Sequence, residues 1–265
     1  MGYPRKLQER RGLAFGFCVA IAEPLLRLFT RQRWIDGEKI PPRGGCVVVG
    51  NHVSHIDPLT FAHFVYGHGR IVRFLAKAEV LDVPVLGRLI RATGQIPVYR
   101  MTSDASQAFR AAVAAVEQGK CVTVYPEGTI TRDPDLWPMV GKTGAARIAL
   151  STNAPVVPVA QWGPQDLLAP YAALPRPLPR KTMVVKAGDP VDLDDLRELE
   201  VSPEVLREAT SRIMSAITAL LEEIRGEQAP AERFDPRARG VKQIGNPNRD
   251  KQRRPRRRRT TGGAR

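Results

Sequence analysis

Cysteine is scarce in this chain, with only Cys18, Cys46 and Cys121 among 265 residues. An odd number of thiols set in apolar runs does not build a disulfide scaffold. It reads as buried, reduced cysteine in a reducing compartment. Long apolar runs are missing as well. No window of about 18 consecutive apolar residues occurs, so a conventional transmembrane helix is not expected. Histidine is confined to His52, His55, His63 and His68, with no acidic cluster beside them. Acidic residues are outnumbered, 27 against 41 Lys and Arg, for a net charge of +14.

That charge is unevenly placed. From Glu232 to Arg265 there are thirteen Lys or Arg against three Asp or Glu, which accounts for ten of the fourteen net charges. The run KQRRPRRRR, Lys251 to Arg259, has no apolar face to bury, so residues 227–265 read as a disordered basic tail. Such a tail can bind anionic lipid or nucleic acid through phosphates, without reading sequence. The remaining length suffices for one sizeable domain with its own core.

At the other end, Arg5, Lys6, Arg10 and Arg11 precede LAFGFCVAIA, Leu13 to Ala22. The basic flank and the Ala-Ile-Ala site imitate a secretory signal, but apolar character resumes at Leu25. Two helices broken near Pro24, Leu13 to Ala22 and Leu25 to Arg33, would carry broad apolar surfaces with cationic ends. Residues 1–36 are therefore expected to lie in a membrane interface or to pack on the domain's own core.

From Gly37 to Gly226 strand and helix signals alternate, the pattern of an α/β domain. Candidate strands are Cys46 to Val49, Ile71 to Leu75, Ile96 to Val98, Cys121 to Tyr125, Val156 to Ala160 and Met183 to Lys186. Candidate helices are Pro58 to Tyr66, Asp104 to Gln118, and Pro203 to Arg225 after Ser202.

Directly after the first of those strands comes GNHVSHIDP, Gly50 to Pro58. Five positions on a helix amount to about 500° of rotation, and an odd spacing on a strand reverses the face, so His52 and Asp57 meet only across a turn. If they meet, the carboxylate fixes the imidazole tautomer and leaves Nε2 as a general base. Two other readings stay open: Asp57 as the N-cap of the helix beginning at Pro58, and metal ligation by His52, His55 and Asp57. Three further stretches fall at strand ends: GQIPVYR ending at Arg100, YPEGTIT at Tyr125 to Thr131, and APVVPVAQWG at Ala154 to Gly163.

In that order, NHVSHID, GQIPVYR, YPEGT and VVPVAQ resemble the motifs of the glycerolipid acyltransferase family, in particular its bacterial 1-acyl-sn-glycerol-3-phosphate acyltransferases. The resemblance spans about Val47 to Ala160. It implies an α/β fold, a single domain with a mixed, mostly parallel sheet flanked by helices. It also implies transfer of a fatty acyl group from acyl-CoA or acyl carrier protein to the free hydroxyl of a lysophospholipid, most directly 1-acyl-sn-glycerol-3-phosphate, giving phosphatidic acid. His52 would then be the base and Asp57 its orienting partner. Arg100 would bind phosphate, Glu127 would help to orient the headgroup or Arg100, and Gly128 and Thr129 would belong to the same substrate-binding turn. No metal and no cofactor beyond the acyl donor is implied, and the protein would sit peripherally or monotopically on the cytoplasmic face of the cell membrane. The chain departs from the family at Ile130, where an arginine usually follows Glu-Gly-Thr, with Arg132 and Lys142 near enough in sequence to substitute. The competing expectation is a non-catalytic polyanion- or membrane-binding protein on the same fold, resting on the basic tail and on Ile130.

Overall fold

Val47, Val48 and Val49 offer no polar face to solvent, and the fold buries both sides of the strand that carries them. The computed structural model describes residues 5–77, 82–84, 86–98, 105–242 and 245–246. Among these, the strands are β1 (Thr30–Ile35), β2 (Cys46–Gly50), β3 (Val72–Lys77), β4 (Ile96–Val98), β5 (Cys121–Val124), β6 (Val156–Trp162) and β7 (Lys181–Ala187). They form one sheet in the order β1-β7-β6-β2-β5-β3-β4. Every neighbouring pair is parallel except β6 and β7, so the sheet is mixed and mostly parallel, as the motifs implied.

Helices cover both faces. On one side α4 (Ala105–Glu117), α5 (Gly144–Thr152) and α8 (Pro203–Arg225) pack on Val47, Val49, Val122 and Val156. On the other, α1 (Leu13–Phe29) and α2 (Asp57–Gly67) pack on Val48, Val157 and Val159. Strand side chains alternate between faces, so a strand at the middle of such a sandwich needs apolar residues at every position. The α8 ends were legible. Ser202 Oγ accepts from Val205 N–H at 3.3 Å, and Gly226 closes the helix in the left-handed region. Among the described residues there are also the short helices α3 (Leu86–Ala92), α6 (Pro164–Leu167) and α7 (Asp194–Arg197), and none of these three, nor α5, had a counterpart among the sequence expectations.

Both boundaries of the domain differ from expectation. Pro24 does not break the first helix, because α1 runs through it to Phe29. The expected second helix to Arg33 is instead the edge strand β1, paired with β7 from Thr30 to Ile35. The residues before α1 also belong to the domain: Arg5 N–H donates to Gly67 O, and Glu9 meets the buried Arg70 at 3.3 Å. At the far end, the chain beyond Gly226 is tied back onto the domain at Phe234. Phe234 is buried and its carbonyl accepts from Val140 N–H. Residues 247–265, with the Arg-rich run, lie outside the described residues. Of the three cysteines, all free, Cys46 and Cys121 face each other in the β2–β5 register.

Candidate active site

The site lies where three parallel strands end side by side. Val49 pairs with Val124 and Gly50 with Val159, so the segments leaving β2, β5 and β6 emerge together. Gly50 is required there, because a Cβ on it would stand 2.4 Å from Phe61 Cε2. The chain passes beneath that ring and turns, which brings His52 back over Asp57.

His52 Nδ1 and Asp57 Oδ2 are 2.9 Å apart. Asp57 is fully buried, and the same Oδ2 also accepts from the backbone N–H groups of Val53 and Ser54, at 2.5 and 2.8 Å. Three donors, the His52 ring and two backbone amides, thus converge on one oxygen of Asp57 at the start of α2. Asp57 was also considered as the N-cap of its helix. It is instead the first helical residue, with its side chain turned back into the loop, and Ile56 holds the cap position. Because Asp57 accepts, Nδ1 carries the ring proton and Nε2 is left as the basic nitrogen. The imidazole lies flat on Tyr125, with ring centroids 4.4 Å apart and planes 14° apart. The metal alternative does not form. His55 turns to the edge of the Tyr171 ring, and among the described residues no three His, Cys, Asp or Glu side chains converge to hold an ion.

Glu127 is buried, accepting from His52 N–H at 3.2 Å through Oε1 and from Met139 N–H at 2.9 Å through Oε2. Burial pushes the carboxyl up to about 8, against the two amide donors, which pull it down. Thr131 N–H donates to His52 O at 2.8 Å, so the peptide groups on both sides of His52 are tied to the Glu-Gly-Thr segment. Glu127 thus braces the loop that carries His52. Gly128 takes the left-handed conformation its neighbours require, φ +68°, with the Lys142 side chain against it.

Thr129 and Lys142 line one cleft of about 450 Å³ with Glu127 and Met139. Arg132 stands apart from that cleft, its guanidinium 4.5 Å from the centre of the Tyr171 ring. Arg100 lies outside the described residues. Ile130 is 2% exposed, and its carbonyl accepts from Tyr171 Oη at 3.1 Å.

Several supporting residues were not assigned roles from the sequence. Asn51 and Gln161 lock the β2 and β6 ends together: Asn51 Nδ2 donates to Gln161 O at 3.0 Å, Gln161 N–H to Asn51 Oδ1 at 2.8 Å, and Gln161 Nε2 to Asn51 O at 3.2 Å. Each such bond contributes about 0.5–1.5 kcal/mol net. Both positions sit inside the motifs, at Gly-Asn-His and at the end of VVPVAQ, but only strand adjacency reveals the pairing. Tyr171 lies in a loop with no local signal.

Residues 33–162 match the family model described as Acyltransferase. A chloroplastic 1-acyl-sn-glycerol-3-phosphate acyltransferase of Brassica napus is 33% identical over 119 residues, 44% of this chain and 33% of that protein. The 1-acyl-sn-glycerol-3-phosphate acyltransferase of Borreliella burgdorferi is 31% identical over 123 residues, 46% of this chain and 47% of that protein. The chain therefore spans between a third and about half the length of these relatives. The crystal structure of the 1-acyl-sn-glycerophosphate acyltransferase from Thermotoga maritima has the same fold, with a TM-score of 0.58 at 24% identity over 81% of each chain. With its ordered motifs and its sheet, the chain is similar to the acyltransferase family over residues 33–162, and that segment contains His52, Asp57 and the Glu127–Thr129 turn.

Proposed function

We propose that this chain is an O-acyltransferase that moves a fatty acyl group from a thioester, acyl-CoA or acyl carrier protein, to the free hydroxyl of a lysophospholipid. The most direct acceptor is 1-acyl-sn-glycerol-3-phosphate, with phosphatidic acid as product. The observation that carries this reading is the 2.9 Å contact between His52 Nδ1 and the buried Asp57, which leaves a basic nitrogen at a strand end. The acceptor oxygen attacks the thioester carbon as His52 Nε2 takes its proton. The carbon–sulfur bond then breaks, and the imidazolium returns the proton to the departing thiolate. Asp57 stabilises that imidazolium, and the nucleophile is the acceptor itself, so no covalent enzyme intermediate forms. An intact dyad favours this reading over a binding protein on an inactive fold. The test is mass spectrometry of the purified protein incubated with acyl-CoA and a panel of lysophospholipids. A diacyl product confined to one headgroup class is expected, and the absence of any new diacyl lipid refutes the activity.

The second part of the proposal is a peripheral or monotopic seat on the cytoplasmic face of a membrane. No helix among the described residues is long and apolar enough to cross one. Along α1, however, Leu13, Phe17, Ile21, Leu25 and Leu28 form a stripe, each between 49% and 96% exposed. Their spacing of three or four residues keeps them on one side of the helix, opposite the buried Phe15 and Leu26. A side chain of this kind contributes about 1.5–3 kcal/mol when fully withdrawn from water, so partial immersion of several suffices for reversible binding. Replacing Phe17, Ile21 and Leu25 together by Glu should release the protein from sedimenting vesicles of anionic phospholipid. Undiminished sedimentation of that variant removes α1 as the anchor.

A further inference from the structure

The family arginine after Glu-Gly-Thr is Ile130 here, and the fold seals that side chain into the interior. Beside Arg100, a second cation for a phosphate group would then have to come from another part of the chain. The cleft beside the Glu-Gly-Thr turn has one wall built from far away in sequence: Asp235, Pro236 and Arg237 line it together with Thr129 and Lys142.

The segment that brings Arg237 there is a folded arm. It leaves α8 with Ala229 N–H donating to Glu222 Oε1 at 2.8 Å. It is anchored by the buried Phe234, whose carbonyl accepts from Val140 N–H at 3.1 Å. Further on, Gly245 O accepts from Arg132 Nη2 at 2.6 Å. Arg132 has two more donors, Nε and Nη1, buried without a hydrogen-bond partner. The arm therefore touches the turn on both sides, and it lies wholly outside residues 33–162. Asp235 is the opposing charge, and its Oδ1 accepts from Arg237 N–H at 2.8 Å, which orients the turn that presents the guanidinium.

We propose that the arm completes a phosphate-binding wall: Arg237, with Lys142, holds a substrate phosphate group in the cleft, in place of the arginine the chain lacks at Ile130. This rests on the acyltransferase reading above. A guanidinium is suited to the task because it is permanently charged and offers paired donors to phosphate oxygens. The phosphate is either the phosphomonoester of the lysophospholipid acceptor or a phosphate of a coenzyme A donor.

The full chain carrying Arg237→Gln tests it. Arg237 is exposed and its contact with Asp235 is made by the backbone, so the variant keeps its fold. Calorimetry with glycerol 3-phosphate, coenzyme A and, as a control, glycerol reads binding directly, and acyl-transfer kinetics read KM for each substrate. Binding of glycerol 3-phosphate is expected to weaken about tenfold or more, as for loss of a charged hydrogen bond, with Arg237→Lys intermediate. The acceptor KM should rise in step while kcat stays within about twofold. Weakened coenzyme A binding, with a raised donor KM, supports the same phosphate wall and assigns the phosphate to the donor. Unchanged binding of both probes in a variant that transfers acyl groups normally overturns the proposal and leaves the acyltransferase reading standing. Phosphate binding that depends on Arg237 in a protein without acyl transfer does the reverse.

Discussion

Replacing His52 by Ala is expected to lower acyl transfer by about 10²- to 10⁴-fold, the range that a positioned general base supplies. The fold should survive, because the His52 side chain is partly exposed and Asp57 keeps two of its three donors, the amides of Val53 and Ser54. The loss should fall on kcat, since the imidazole acts on the proton leaving the acceptor oxygen and contributes little to holding the lipid. Asp57→Asn makes the complementary test. It preserves shape but removes the charge that fixes the His52 tautomer and stabilises the imidazolium, so its activity should fall without a matching rise in KM. Turnover in His52→Ala within a few-fold of the unaltered protein, with the melting temperature unchanged, rules out the dyad as the catalytic machinery.

The second large effect concerns Glu127, and its signature is pH-dependent stability. Burial holds its carboxyl at about 8 in the folded protein, whereas an exposed glutamate ionises near 4.3. A group with its folded pKa raised contributes stability that is complete below the unfolded value and is lost as pH climbs through the folded one. Unfolding free energy measured by urea titration should therefore decline between pH 5 and pH 8.5, with a limiting slope of about 1.4 kcal/mol per pH unit. Glu127→Gln removes the titration. The amide offers one acceptor where the carboxyl offers two, so its NH2 meets either His52 N–H or Met139 N–H, at a cost of about 1–3 kcal/mol at pH 5. The deficit of the variant should then narrow or reverse by pH 8.5. Activity should drop as well, because His52 loses the acceptor on its own peptide N–H. Parallel stability curves for the two proteins across that range would exclude Glu127 as the titrating group.

These two residues show how differently the site was written in the sequence. The five-residue spacing of His52 and Asp57 let them meet only across a turn, and the apolar strand ending at Gly50 offered one, so local geometry allowed the contact beside the N-cap and metal readings. The structure shows the loop after β2 making it, with the carboxylate five residues from the ring. Glu127 was legible as part of a motif, but its contacts were not. Only the adjacency of β2 and β5 puts it beneath the His52 loop with both oxygens accepting from backbone amides.

The central strands were readable because burial on both faces leaves a continuous apolar run, as in Cys46 to Val49 and Val156 to Ala160. The edge strand β1 was not. In Thr30–Ile35 the exposed Arg31 and Arg33 alternate with less exposed neighbours, and its four-residue overlap with the apolar stretch Leu25 to Arg33 made helix the natural reading. β1 is a strand because β7 offers an open edge in register with it.

The sequence by itself determined the sandwich's central strands and the helices α2 and α8, and it set the spacing that lets His52 meet Asp57, since each depends on periodicity or spacing within about twenty-five residues. Tertiary structure alone decided that Asn51 is locked to Gln161, that Glu127 braces the His52 loop, and that Arg237 lines the cleft beside the Glu-Gly-Thr turn. The physical reason is common to all three: hydrogen bonds and cleft walls between segments distant in the chain leave no periodic trace, and become defined only when the sheet order sets those segments side by side.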